Sequence, residues 1–142
     1  MRISEVLRRK GGEVATIEPE ATVRHLLTLL AERNIGAVVV STDGTTIEGI
    51  VSERDIVRRL GEQGAGLLDQ PVSSIMTATV RTCAPGDRVE DLRATMTEHR
   101  IRHVPVVRDG RLAGIVSIGD VVKSAIAELE SEREQLVDYI SR

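Results

Sequence analysis

Twice in this chain a short apolar segment runs into the string Gly-Ile-Val-Ser-x-x-Asp, at Gly49-Ile50-Val51-Ser52-Glu53-Arg54-Asp55 and at Gly114-Ile115-Val116-Ser117-Ile118-Gly119-Asp120. In each, the apolar residues read as the end of a strand and the serine as the start of a helix. The first N–H groups of a helix lack intrahelical partners and its N-terminal end carries about half a positive charge, so such a start suits phosphate oxygens. Ser52 and Ser117 stand where a hydroxyl can add a donor. Asp55 and Asp120, on the first turn, can accept two hydrogen bonds from a vicinal diol such as a ribose. A serine followed three residues later by an aspartate is also simply a well-capped helix, worth about 1 kcal/mol. The strings therefore admit two readings, a nucleoside-phosphate grip in each copy or two ordinary caps.

The elements that must position these strings are duplicated with them. Thr16-Ile17-Glu18-Pro19 aligns with Thr82-Cys83-Ala84-Pro85, and the match continues without a gap through Val23 on Val89, Leu26 on Leu92, Ile35 on Ile101, Val38 on Val104 and Val40 on Val106. Such internal repetition decides the fold class before any single element does. In the first copy Thr22 can cap a helix whose apolar stripe is Val23, Leu26, Leu27 and Leu30; Val89, Leu92 and Met96 repeat it. A β-branched run from Ala37 to Val40, an Asp43-Gly44 turn and a second strand over Glu48–Val51 follow, matched by Val104–Val107, Asp109-Gly110 and Ala113–Val116. Helices then start at Ser52 and Ser117, with Ile56, Val57 and Leu60, or Val121, Val122 and Ile126, expected inside. Adding strands near Val14–Ile17 and Val80–Cys83 makes each copy β-α-β-β-α, an α/β (α+β) unit too small to bury both faces of its own sheet. Two pseudo-symmetric copies packed through their sheets resolve that. The expected organisation is a first repeat with its linker over 1–66, a second over 67–127 and a helical extension over 128–142, the glycine-rich Gly61–Gly66 stretch serving as a linker loop.

Composition removes several classes of function. The 142 residues carry a net charge of −3, without the positive excess that neutralises a phosphate backbone. Phe and Trp are absent and Tyr139 is the single tyrosine, so no aromatic platform exists for stacking single-stranded bases. One cysteine, Cys83, cannot form an internal disulfide, and no Cys/His spacing suggests a metal. No apolar run resembles a secretion signal or a membrane span. No nucleic-acid partner, no membrane and a cytoplasmic location are the expectations. No P-loop, Rossmann fingerprint or nucleophile triad is present, so a catalytic role has no residues to name and the chain is expected not to be an enzyme.

The duplicated β-α-β-β-α pattern, the strand His103-Val104-Pro105-Val106-Val107 and the twofold Gly-Ile-Val-Ser-x-x-Asp resemble a tandem pair of cystathionine-β-synthase (CBS) domains, often called a Bateman module, from about Val6 to Ile126. The resemblance implies a regulatory sensor that binds an adenine nucleotide or adenosyl compound (AMP, ADP, ATP, NAD or S-adenosylmethionine) in clefts between the copies, with no cofactor required. It implies that Asp55 and Asp120 hold ribose hydroxyls, that Ser52 and Ser117 lie at the ribose-phosphate junction, and that Thr16 and Thr82 help line the clefts. Backbone around Ala37-Val38 and His103-Val104-Pro105 would meet the adenine edge. A homodimer and a separate regulated protein partner also follow from the likeness.

The copies are unequal. Arg54 precedes the first aspartate, whereas Gly119 precedes the second; Val39 replaces Pro105, and Gly36-Ala37 replaces Arg102-His103. The Asp120 cleft, where the family strand pattern is fuller and Arg100, Arg102 and His103 add positive charge, is expected to bind more tightly. His25, His99 and Cys83 carry no such case. Beyond the second repeat Val122, Ile126, Leu129, Leu136 and Ile140 continue a 4-3 spacing interrupted by Arg133, a stripe that suits a partner. The alternative function is accordingly an interaction module whose clefts are vestigial and whose tail dimerises.

Overall fold

A computed structural model describes residues 1–141. The chain opens on helix α1 (Ile3–Lys10), an element the periodicity gave no reason to expect. The first repeat then forms β1 (Thr16–Ile17), α2 (Val23–Arg33), β2 (Ala37–Val40), β3 (Gly49–Ser52) and α3 (Glu53–Gln63). Two short 3₁₀ turns, Gly64–Asp69 and Val72–Ser74, lead to the second repeat: α4 (Val89–His99), β4 (His103–Arg108), β5 (Arg111–Ser117) and α5 (Ile118–Ser141).

In the first sheet β1 runs parallel to β2, and β2 antiparallel to β3 with Ala37 opposite Ser52. In the second, β4 and β5 are antiparallel with His103 opposite Ser117. The expected Val80–Cys83 strand contracts to one parallel bridge between Cys83 and Val106. Arg81 and Thr82 stay exposed, leaving only Cys83 to turn its side chain toward the core.

Local chemistry explains the ends of these elements. Thr22 caps α2 as its hydroxyl oxygen accepts from the His25 amide at 3.1 Å. Asp109 and Gly110 take φ values of 52° and 76°, the paired left-handed residues that close a tight hairpin. The corresponding turn in the first repeat is longer, and the Asp43 carboxylate organises it by accepting from the Thr45 and Thr46 amides. The Gly61–Gly66 stretch is helical rather than a loop: α3 continues through Gly61 to Gln63 and passes directly into the first 3₁₀ turn.

Each repeat has its own apolar core, and each core is completed by a segment that precedes the other repeat. Leu67, Val72 and Ile75 pack with Val23, Leu26, Leu30, Val38, Val40 and Val51. Ile3 and Val6 pack with Val89, Leu92, Met96, Val104, Val106 and Val116. The backbone bonds repeat as well: the Ile3 and Ser4 amides donate to the Asp87 and Pro85 carbonyls, as those of Val72 and Ser73 donate to Ala21 and Pro19. Two glycines make room for this docking. A Cβ on Gly49 would lie 2.6 Å from Met76 Sδ, and one on Gly114 2.6 Å from Leu7 Cδ2.

Val39 and Pro105 are buried although they point away from the side chains that build their own repeat's core. The second faces of the two sheets are therefore covered too, which is what packing through the sheets accomplishes. The helices that follow the motifs bury less than their stripes suggested. Ile56 and Val121 are inside, but Val57, Leu60, Val122 and Ile126 are exposed, because α3 and the start of α5 turn only one narrow strip toward the core; Leu27, expected in the stripe of α2, is exposed as well.

Candidate functional site

Both serine-aspartate strings sit where a strand becomes a helix, and both close a capping arrangement. Asp55 Oδ2 accepts from the Ser52 amide at 2.8 Å and from the Ser52 hydroxyl at 3.1 Å. Asp120 Oδ2 accepts from the Ser117 amide at 2.9 Å, while the Asp120 amide donates to Ser117 Oγ at 3.1 Å. The capping role is thus real in both copies. It engages one oxygen of each carboxylate; Oδ1 of Asp55 and of Asp120 accepts no hydrogen bond among the described residues.

Each helix start is also tied to the turn before the preceding strand pair. The Glu53 amide donates to the Gly36 carbonyl at 3.0 Å, and the Ile118 amide to the Arg102 carbonyl at 2.8 Å. Together with the Ala37–Ser52 and His103–Ser117 registers, this brings backbone at Ala37-Val38 beside the first motif and His103-Val104-Pro105 beside the second. Ala37, Val38, Val104 and Pro105 are buried. The His103 ring reaches the other repeat, its Nε2 lying 3.5 Å from where a Cβ on Gly36 would stand, with Glu53 Oε1 near the same point. A Cβ on Gly36 would meet that ring at an ordinary van der Waals distance.

A groove of about 350 Å³ opens between the repeats, lined by Arg54 from α3 and by Met96, Thr97, Arg100, Ile101, Arg102 and Ile118 from the second repeat. Arg54, Arg100 and Arg102 belong to none of the ion pairs among the described residues. Three guanidiniums without carboxylate partners thus face one space near the start of α5, an arrangement suited to bidentate contacts with an anion. Thr16 is half-buried in β1 and Thr82 is exposed beside the Cys83 bridge; neither lines this groove.

The second motif has a partner that its sequence does not announce. Lys10, the last residue of α1, donates through Nζ to Asp120 Oδ2 at 2.8 Å and to the Ile115 carbonyl at 2.8 Å. Burial works against the charge on Asp120, but the Lys10 ammonium and the Ser117 amide outweigh it and hold the carboxyl below its ordinary range. Burial, with the Lys10 charge, pushes the half-buried His103 ring below the usual imidazole range, against the pull of Glu53 and Asp120. His25 and His99 are exposed. Burial drives the Cys83 thiol up to about 12, so it stays protonated and unreactive near neutrality. No group of three or more His, Cys, Asp or Glu side chains among the described residues could hold a metal ion. No helix among them is long and apolar enough to cross a membrane.

The same architecture appears in known proteins. The family model described as "CBS domain" matches the chain twice, over residues 3–62 and 72–127. The mitochondrial CBS-domain-containing protein of Arabidopsis thaliana is 35% identical over 97% of this chain and 71% of its own length. The Bacillus subtilis CBS-domain-containing protein YhcV is 32% identical over 92% of this chain and 89% of its own. Among solved structures, a CBS-domain-containing protein from Agrobacterium tumefaciens superposes with a TM-score of 0.85 at 44% identity, covering 88% of this chain and 99% of that one. A Pyrobaculum aerophilum CBS-domain protein complexed with AMP superposes with a TM-score of 0.75 at 35% identity, over 84% and 89% of the two chains. With the duplicated strand-to-helix motifs, the between-repeat groove and these matches in hand, the chain belongs to the CBS-domain family and carries two CBS domains in tandem.

Proposed function

We propose that this CBS pair is a non-catalytic regulatory module that binds an adenine nucleotide between its repeats and passes the bound state to a separate protein in the cytoplasm. The observation that carries the reading is the groove where Arg54 of one repeat meets Arg100 and Arg102 of the other, three guanidiniums in no ion pair among the described residues, at the edge of a helix start. The AMP complex of the Pyrobaculum aerophilum relative supports the same ligand class. Phosphate oxygens take the guanidinium side. The ribose hydroxyls meet Oδ1 of the motif aspartates beside Ser52 and Ser117, and the adenine lies against Ala37-Val38 or Val104-Pro105 with His103 at its edge. Thr16 and Thr82, which do not line the groove, take no ligand contact in this reading. Lys10 pairs with Oδ2 of Asp120 and leaves Oδ1 of both motif aspartates open to ribose hydroxyls, so the two motifs differ in the charge beside them, Lys10 at the second and Arg54 at the first.

Titration calorimetry with AMP, ADP, ATP, NAD and S-adenosylmethionine tests this. Binding tighter than about 1 mM, corresponding to about −4 kcal/mol, by at least one phosphorylated ligand is expected; silence across the whole set at millimolar concentration would reject the proposal and leave the interaction-module alternative.

A further inference from the structure

His103 is the side chain through which the second repeat reaches the first beside a motif. It stands opposite Ser117 in the β4–β5 ladder. Its ring Cε1 and Nε2 both lie 3.5 Å from the point that a Cβ on Gly36 would occupy, and Glu53 Oε1 lies 3.7 Å from the same point. The aligned residue of the first repeat is Ala37, so no second ring makes the reverse crossing. Four charged groups from four parts of the fold act on the ring: Lys10 at the end of α1, Glu53 at the start of α3, Asp120 in α5 and Arg102 just before β4. Gly36 and Ser117 bring no charge. Lys10 and Asp120 offset each other through their own contact at 2.8 Å, whereas Glu53 and Arg102 belong to no ion pair among the described residues. The His103 side chain makes no hydrogen bond among them either, so both ring nitrogens are without a protein partner there.

We propose that His103 couples nucleotide binding between the repeats to the uptake of a proton from solvent. The inference rests on the nucleotide reading of the groove. Arg102 is the link, because its side chain lines the groove while its charge acts on the neighbouring His103 ring. In the free chain, burial and the cations at Lys10 and Arg102 disfavour a proton on that ring. A phosphate held by Arg54, Arg100 and Arg102 cancels the Arg102 charge and adds negative charge of its own. Such a change is only weakly screened at a partly buried group. A ring nitrogen then bonds a proton taken from water, and the imidazolium faces Glu53 across the boundary between repeats. The coupling is reciprocal, so the proton also favours the nucleotide. Its sign follows from a ring that holds its proton more tightly in the complex: the gain in affinity is full below the free-chain midpoint and is lost as pH rises through the midpoint of the complex. The module thus answers to nucleotide and acidity together.

Proton NMR of the His103 Cε1 signal in the full chain, titrated between about pH 5 and about pH 8 with and without saturating AMP, gives the test. His25, exposed on α2, is the internal reference. With AMP the His103 midpoint should rise by at least about half a pH unit, about threefold in proton affinity. With adenosine, which has no phosphate, it should rise clearly less, and His25 should stay in place throughout. The phosphate itself titrates near about pH 6, so AMP affinity is compared as the ratio of wild type to His103→Gln. That ratio should grow at least about twofold between about pH 8 and about pH 5.5. A His103 midpoint that stays in place while the groove amides shift and saturate would overturn the coupling and leave nucleotide binding standing. An equal rise with adenosine, or a matching rise at His25, would overturn it as well. If neither the midpoint nor those amides respond to AMP, the binding reading falls together with the coupling.

Discussion

Lys10 Nζ lies 2.8 Å from Asp120 Oδ2, so the cation that the second motif lacks, with Gly119 where the first has Arg54, arrives from the other end of the chain. It sits on Oδ2 of the carboxylate whose Oδ1 the proposed ribose contact takes. The first motif has no counterpart among the described residues: Asp55 accepts only from Ser52. The two sites therefore differ in the charge that stands beside the aspartate.

Lys10→Met should be visible at His103. Removing the ammonium takes away a repulsion while burial stays, so the Glu53 and Asp120 carboxylates should pull the His103 pKa up toward its ordinary value of about 6.5. A ring held below its unfolded value contributes stability that is present above pH 6.5 and lost as pH falls through the folded pKa. The variant should thus lose less stability than wild type across that acid interval. Proton NMR of the imidazole gives the first quantity and urea melts at two pH values the second; an unmoved His103 would show that Lys10 does not act on it.

The same substitution should improve adenosine binding at the Asp120 site. A half-exposed ion pair is worth about 1 kcal/mol or less, and freeing the carboxylate should gain about threefold to fivefold in affinity. Weaker binding in calorimetry would show instead that the lysine helps to hold the ligand.

Asp120→Ala should cost more stability than Asp55→Ala. Each loses a cap, about 1 kcal/mol, but only the first also strands Lys10, for a total of about 1–2 kcal/mol. Because Asp120 titrates low in the folded state, this contribution is present above about pH 4 and is lost as pH falls through the folded pKa. Equal losses by urea denaturation would mean that the Lys10 contact contributes nothing to the fold.

Arg54→Ala should separate phosphate from nucleoside. A hydrogen bond to a charged group is worth about 1.5–3 kcal/mol, so AMP should weaken at least about tenfold while adenosine and the melting temperature stay as they were. Arg54 is exposed and belongs to no ion pair among the described residues, so a large drop in melting temperature would be inconsistent with its place in the structure.

Gly49→Ala should destabilise by about 1–3 kcal/mol, and Gly114→Ala by less. The new methyl at Gly49 meets the Thr77 carbonyl at 3.0 Å as well as Met76, whereas at Gly114 it meets only the side chain of Leu7, which can turn aside. The opposite order in denaturant melts would contradict the reciprocal docking of the two segments.

The duplication, both capped motifs and the long tail helix were legible because each rests on local periodicity or on a cap three residues long. The exchange of Ile3–Leu7 and Val72–Met76 between repeats was not, although Ile3, Val6 and Leu7 answer to Val72, Ile75 and Met76 in type and spacing. The loop from Leu7 to Thr16 is longer than that from Met76 to Thr82, so an alignment begun at Thr16 runs out of register before it reaches them. Lys10 was invisible for a related reason: nothing near it in the chain points to Asp120, and only the docking of α1 on the second repeat makes the pair. Val57 and Val122 were misplaced because an apolar stripe identifies a face without saying how much of it the core can cover.

In the proposed complex a phosphorylated adenosine seats between the repeats against Arg54, Arg100 and Arg102. Amide NMR of the full chain titrated with AMP addresses it residue by residue. Shifts concentrated at Gly36–Val38, Ser52–Asp55 and Arg100–Pro105 and saturating together are expected; shifts scattered over the surface without saturation, or confined to α5 beyond Ile126, would rule this seating out.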